Sequence, residues 1–321
     1  MDSSNTFTVS YGKMRVPVYR VYANPLSGIA SIPESLFRGR ENTLFAFEID
    51  VEVFGDNFLP AYTHGDNSLV VATDSMKNFI LRQALTFKGA TLEELLQELG
   101  CLFLQTYPQM ERLQVSGREL PFIATSVPQP GIPSFGPSHV LFSKSHNDFA
   151  TAMLDVARDT TGHPMVTAHR CGRVGMELFK VTGSAFTHFV RDEYTTLQER
   201  VDRPLFIYLD VYWKYTDAAL LLASDHAHYV PAEQVRDLIQ VTFHDFVSES
   251  IQHLVYEMGN RILARFPQLA EISFESHNMT RDQVLVSPND ERVKVYSDPF
   301  SAYGMIKLKM SRNASRERGK L

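Results

Sequence analysis

Between Leu44 and Phe54, the apolar residues Phe45, Phe47, Ile49, Val51 and Val53 alternate with Ala46, Glu48, Asp50 and Glu52. A sustained period of two fits a strand with one face in a core and one in polar surroundings, and little else. The pattern returns in the second half, where Ile207, Leu209, Val211 and Trp213 alternate with Phe206, Tyr208, Asp210 and Tyr212. After each of these strands the apolar residues take up helical spacing, twice over. In the first half, Thr73-Asp74-Ser75 is suited to capping a helix that runs through Phe79 and Leu81, and Thr91-Leu92-Glu93-Glu94 has capping-box spacing ahead of Leu92, Leu95, Leu96, Leu99 and Leu102. In the second, Pro231 opens a helix carrying Val235, Leu238, Ile239 and Phe246. There Ser248 or Ser250 can cap another helix, carrying Ile251, Leu254, Val255, Met258, Ile262 and Leu263.

Further strands are predicted over residues 7–23 and near Val140–Ser143, Glu177–Thr182, Ala270–Phe274 and Arg292–Tyr296. Each half therefore reads as strand, strand, helix, helix, strand, strand. Elements grouped in this way predict an α+β fold rather than a doubly wound sheet. Asn24–Arg40 collects Pro, Gly and Ser and reads as a loop. Pro128–Pro137, with four prolines and two glycines, is expected to divide the chain into residues 1–132 and 133–321. The basic stretch Met310–Leu321 is expected to be a mobile tail.

With 321 residues, 44% of them apolar, the chain is long enough for substantial cores and does not need staples. Its 31 Lys and Arg against 37 Asp and Glu give a net charge of −6, so no nucleic-acid or anionic-membrane footprint is expected, and an anionic ligand has to be captured locally. Cys101 and Cys171 form no framework, which predicts free thiols in a reducing compartment. The beginning of the sequence has no signal-peptide pattern, and Gly319-Lys320-Leu321 departs from the peroxisomal Ser-Lys-Leu address, so a cytoplasmic location is expected.

Gly-rich phosphate loops, H-E-x-x-H, nucleophile elbows and paired cysteine motifs are missing. His226-Ala227-His228 and the histidines between His163 and His169 lack the spacing of a closed metal set, and hydrogen-bonded loop histidines are the expected reading. The polar residues at helix starts are more informative. Thr73-Asp74 and Ile251-Gln252 lie where backbone N–H groups are free to meet an anionic oxygen, although each pair taken alone reads as capping. Arg203, next to Asp202, fits either a clamp on a planar anion or a strand-end ion pair. Phe186 fits either a stacking surface or core.

Several segments together resemble the urate oxidase (uricase) family. They are Tyr11-Gly12-Lys13, Asp66-Asn67-Ser68, Val71-Ala72-Thr73-Asp74-Ser75-Met76-Lys77-Asn78, Phe189 through Leu197 (F-V-R-D-E-Y-T-T-L), Ile262-Leu263-Ala264-Arg265 and Ser297-Asp298-Pro299. The resemblance implies two tandem T-fold (tunnelling-fold) units with antiparallel sheets and paired helices. It also implies a homotetramer in which strands close β-barrels around a tunnel, with active sites at subunit interfaces. No cofactor and no metal are implied; urate and dioxygen are the implied partners. Lys13, Thr73 and Asp74 match residues from one subunit, and Phe186, Arg203, Ile251, Gln252 and Asn278 match those from its neighbour, with the separations Phe186 to Arg203 and Gln252 to Asn278 as in the family pattern. Arg203 and Gln252 would hold the edges of the purine, Phe186 would stack on it, and Asn278 would hold dioxygen or water above it. The family has a histidine two residues after this asparagine, completing a Lys–Thr–His proton relay; here the position is Thr280. A hydroxyl cannot replace imidazole as a base near neutral pH. Three readings follow: a urate oxidase with an altered relay through Lys13, Thr73 and water; an enzyme on the same scaffold for another heterocycle such as a modified purine, azapurine or pterin; and a non-catalytic purine binder, against which the presence of Lys13 argues.

Overall fold

The computed structural model describes residues 6–131, 133–144, 146–279, 281–297 and 302–312. Thr280, Asp298, Pro299, Ile132 and the terminal Gly319-Lys320-Leu321 lie outside the described residues. Two compact units are present. The first comprises the residues up to Ala30, Arg38–Cys171 and Asp217–Tyr229; the second comprises Ser31–Phe37, Gly172–Thr216 and the residues from Val230 onward.

In the first unit, β1 (Ser10–Val21) and β2 (Leu44–Phe54) pair antiparallel, and β2 pairs antiparallel with β3 (Arg112–Glu119), which pairs with β6 (Phe149–Arg158). The short α1 (Leu59–Thr63) precedes the helix pair α2 (Thr73–Thr86) and α3 (Leu92–Thr106). Ile49, Val51 and Val53 of β2 are fully buried, as the alternation requires. The helix α2 packs on β1, while α3 packs on β3 and β6 through Leu95, Leu96, Leu99 and Phe103. The capping box at Thr91 and Glu94 is formed as expected.

The proline-rich segment is the tip of a separate hairpin, β4 (Phe122–Pro128) with β5 (Phe135–Lys144). The longest run of the first compact unit ends between Cys171 and Gly172, inside β7 (Pro164–Lys180). Proline and glycine mark a turn here, and a turn inside a hairpin looks in sequence like a linker.

The second unit repeats the order. The C-terminal half of β7 is followed by β8 (Leu205–Tyr215), the helices α5 (Ala232–Asp245) and α6 (Ile251–Arg265), then β9 (Leu269–Asn278) and β12 (Gly304–Ser311). The short α4 (Ala218–Leu221) falls in the first unit. β8 pairs antiparallel with β9, and β9 with β12. A hairpin, β10 (Asp282–Val286) with β11 (Lys294–Ser297), lies between β9 and β12, as β4–β5 lies between β3 and β6. Both units thus follow the grouped α+β order with antiparallel sheets.

Met310 and Ser311 belong to β12 rather than to a mobile tail. Ile306, Leu308 and Met310 point to the less exposed face, and Gly259 of α6 leaves room for the Met310 sulfur, which lies only 2.4 Å from where a Cβ would sit. Among the described residues no helix is long and apolar enough to cross a membrane.

Candidate active site

Lys13 ends the first regular run of β1. The β1–β2 register shifts between Lys13 and Val16, with Arg15 at φ 57°, so a bulge follows the lysine and turns the strand there. Gly12 passes so close to β2 that a Cβ would lie 2.0 Å from the Val51 carbonyl oxygen. Two residues before Lys13, and so on the same face of β1, the Tyr11 hydroxyl accepts from the Val71 N–H at 3.1 Å, tying β1 to the segment that leads into α2. Thr73 and Asp74 are the first two residues of α2, and the residue before them, Ala72, is the N-cap; no side chain caps this end. The expected capping by Thr73-Asp74-Ser75 therefore does not occur. The helix starts at those residues, and the first-turn N–H groups are left to whatever approaches them. The Asp74 carboxylate turns outward to accept from Lys77 at 2.6 Å and Asn78 at 3.0 Å. Its carboxyl is held below the usual range by the hydrogen bond and charge of Lys77, then by Asn78 and the charge of Lys13. The first unit thus brings Lys13 near the opening turn of α2.

The remaining residues belong to the second unit. Phe186 exchanges backbone hydrogen bonds with Arg200, at 2.8 and 3.1 Å, and the Arg203 N–H donates to the Ser184 carbonyl at 2.8 Å. The Arg203 guanidinium lies 5.2 Å from the centre of the Phe186 ring, and Phe189 stacks on that ring at 4.9 Å and 12°. Asp202 does not pair with its neighbour: its carboxylate accepts from the Thr182 hydroxyl and the Gly183 N–H, each at 2.7 Å. Arg203 Nε is buried without a partner, no ion pair is made to its guanidinium among the described residues, and burial draws its proton affinity down. The strand-end ion pair is thus not formed. A half-buried cation whose buried Nε is an unused donor is poised for an anionic acceptor.

The start of α6 is tied to the same loop. Ser250 is its N-cap, accepting from the His253 N–H at 3.0 Å, and the Ser248 carbonyl accepts from the Ala185 N–H at 2.8 Å. Ile251 is buried and Gln252 exposed at the first turn. Asn278 ends β9 opposite Ile207 and Gly304, on the strand face that carries the buried Ile272, Phe274 and Ser276. Arg203 and Asn278 line one cavity of about 430 Å³, together with Arg200, Pro204, Lys294 and Tyr296. His277 points to the opposite face of β9 and stacks on Tyr303 at 4.4 Å, so alternation along the strand keeps it away from the Asn278 side. The histidines singled out in sequence hold no metal set: His226 lies 3.2 Å from the Ser27 carbonyl and 3.2 Å from Glu94, and no metal-holding group occurs among the described residues.

The sequence model of the Uricase family matches residues 51–150 and 169–306. The chain belongs to the uricase family. It is 45% identical over 308 residues to the uricase of Haloferax volcanii, covering 95% of this chain and 98% of that one. It is 43% identical to the uric acid degradation bifunctional protein of Bacillus sp. (strain TB-90) over 92% of this chain, and spans 58% of that protein's length. The crystal structure of Bacillus sp. TB-90 urate oxidase superposes with a TM-score of 0.92 at 41% identity, covering 95% of this chain and all of that one. That of the Bacillus fastidious uricase gives 0.91 at 40% identity, with 96% and 94% covered. As a uricase-family member the chain is an oxidoreductase built from two tandem T-fold units.

Proposed function

We propose that this chain oxidises urate with dioxygen and water, giving 5-hydroxyisourate and hydrogen peroxide. The observation that carries the assignment to this site is Arg203, a half-buried cation with an unpartnered Nε beside an aromatic ring. A flat, anionic, carbonyl-edged heterocycle satisfies both features at once. Arg203 and Gln252 hold its carbonyl and ring-nitrogen edges, one as a donor fork and the other as an amide that gives and accepts. Phe186 stacks on its face, Ile251 closes the apolar side, and the free N–H groups of Thr73 and Asp74 meet the opposite edge.

Twice-deprotonated urate is electron-rich enough to reduce dioxygen itself. It gives up two electrons, dioxygen takes them to become peroxide, and water supplies the oxygen that ends on the ring. The protein's work is to hold the reactants together and to move protons. Asn278 holds dioxygen or water over the ring, while Lys13 and Thr73 pass protons with water, Thr280 standing where the family relay has histidine. The sites lie at subunit interfaces of a homotetramer, in which Lys13, Thr73 and Asp74 come from one subunit and the other residues from its neighbour.

Mixing the protein with urate should bleach the urate absorption with matching oxygen uptake. Thr280 favours one second reading, a modified purine, azapurine or pterin as substrate. Silence with urate, together with oxygen uptake on one of those heterocycles, would replace the first reading with the second.

A further inference from the structure

The cavity that Arg203 and Asn278 share has a second wall, and that wall is cationic. Besides Arg203 it is lined by Arg200, Arg281 and Lys294, against a single carboxylate among the described lining residues, Asp202. Asp202 is occupied by Thr182 and Gly183. The cations are placed by backbone pairings remote in sequence: Arg200 by its exchange of hydrogen bonds with Phe186, and Lys294 by the β10–β11 hairpin, where it faces Val286. Arg281, at the foot of that hairpin, lies over the Phe206 ring at 4.6 Å. In a chain of net charge −6 this is a local reversal of sign. A concave, partly enclosed lining of one sign focuses its field outward and raises the local concentration of the opposite charge.

We propose that Arg200 and Lys294 form an anion-collecting mouth that draws the substrate onto Arg203 and makes the enzyme select anionic over neutral heterocycles. The inference rests on the proposed urate oxidation and goes beyond it by assigning capture to residues outside the binding perimeter. Their effect falls on encounter and binding, not on the chemical step, because neither side chain belongs to the set that grips the ring or moves protons.

The test uses Lys294→Gln, Arg200→Gln and the double variant, with Lys294→Arg as the charge-preserving control. At low ionic strength each neutralisation is expected to lower kcat/KM for urate about threefold, and the pair about tenfold, with kcat unchanged. The losses should fade as salt rises toward about 0.5 M, while Lys294→Arg stays at wild-type values. Urate binding measured by calorimetry without oxygen should follow the same ratios. A double variant equal to wild type at low salt, a loss that persists at high salt, or a fall in kcat would overturn the proposal. Wild-type binding without turnover would instead refute the oxidase reading while the binding ratios still judge the mouth. A wild type that neither binds nor oxidises urate would refute both.

Discussion

Replacing Arg203 by glutamine should separate binding from folding. In the chain as it stands, the guanidinium is partly buried, its Nε has no partner, and its neighbour Asp202 is committed elsewhere. Such a cation contributes little to the fold. An anionic ring that accepts from Nε and from one terminal nitrogen gains two charge-assisted hydrogen bonds, each worth about 1.5–3 kcal/mol. Losing both removes about 3–6 kcal/mol of substrate interaction, which is about 10²–10⁴ in kcat/KM. The fold loses only the contact with the Phe186 ring, about 0.5–1 kcal/mol, and is relieved of a desolvated charge. The backbone hydrogen bond from Arg203 to Ser184 does not depend on the side chain. Initial rates of urate loss at fixed oxygen, measured beside thermal unfolding, would show a collapse of kcat/KM with the midpoint nearly unmoved. Arg203→Lys keeps the charge without the fork and should fall in between. If the glutamine variant kept kcat/KM within tenfold of wild type, or lost stability in step with activity, the reasoning would fail.

Three further outcomes can be checked. Thr280→His should raise urate turnover if the proton relay is altered at that position, and an unchanged rate would count against that account. Glu93 is buried beside the Tyr229 hydroxyl at 3.1 Å and the Cys171 thiol, and burial pushes its carboxyl from 4.5 up to about 6. Because the folded value is the higher one, the stabilising effect of its proton is present below about pH 4.5 and is lost as pH rises through about 6. Glu93→Gln should therefore gain on wild type by up to about 2 kcal/mol above pH 7 and by almost nothing in acid, in denaturant titrations across that range; the reverse trend would refute it. Gly12→Ala would drive a methyl into the Val51 carbonyl next to Lys13. It should cost about 1–3 kcal/mol of stability together with most of the urate turnover, read by thermal unfolding and rate.

Where one strand face met a core and the other did not, the sequence was plain. β2 has the bounds its alternation predicts, and β8 extends only two residues past Trp213. The cap at Thr91 was equally legible, and Ser250 was one of the two serines read as capping α6, because the chemistry lies in the capping residue itself. The start of α2 was misread for the converse reason. Its N-cap is an alanine, so the polar residues after it signalled a cap they do not make. No strand was located at β3, β4, β6, β10 or β12, and of β7 only the end from Glu177 was. The strand β7 crosses from one compact unit to the other, buries Arg173, and carries Gly175 at φ 79°, so no single period runs along it. Within the site, the grouping of Phe186 with Arg203 came from the family resemblance, since Asp202 is the obvious partner in sequence and only folding turns it toward Thr182 and Gly183. The contribution of Lys294 could not be read at all. It reaches the cavity through a short hairpin whose pairing shows only in three dimensions.

The loop from Gly183 to Arg203 is fastened by main-chain hydrogen bonds at Ser184, Ala185, Phe186 and Arg203. Amide-to-carbonyl fastening of this kind does not depend on which side chains fill the stretch between. With Phe189 kept for its stacking on the Phe186 ring, the residues between it and Arg200 can therefore accept new substituents without dislodging the arginine or the aromatic ring. A designer seeking altered substrate preference would do well to randomise that stretch first, leaving its two anchored ends alone.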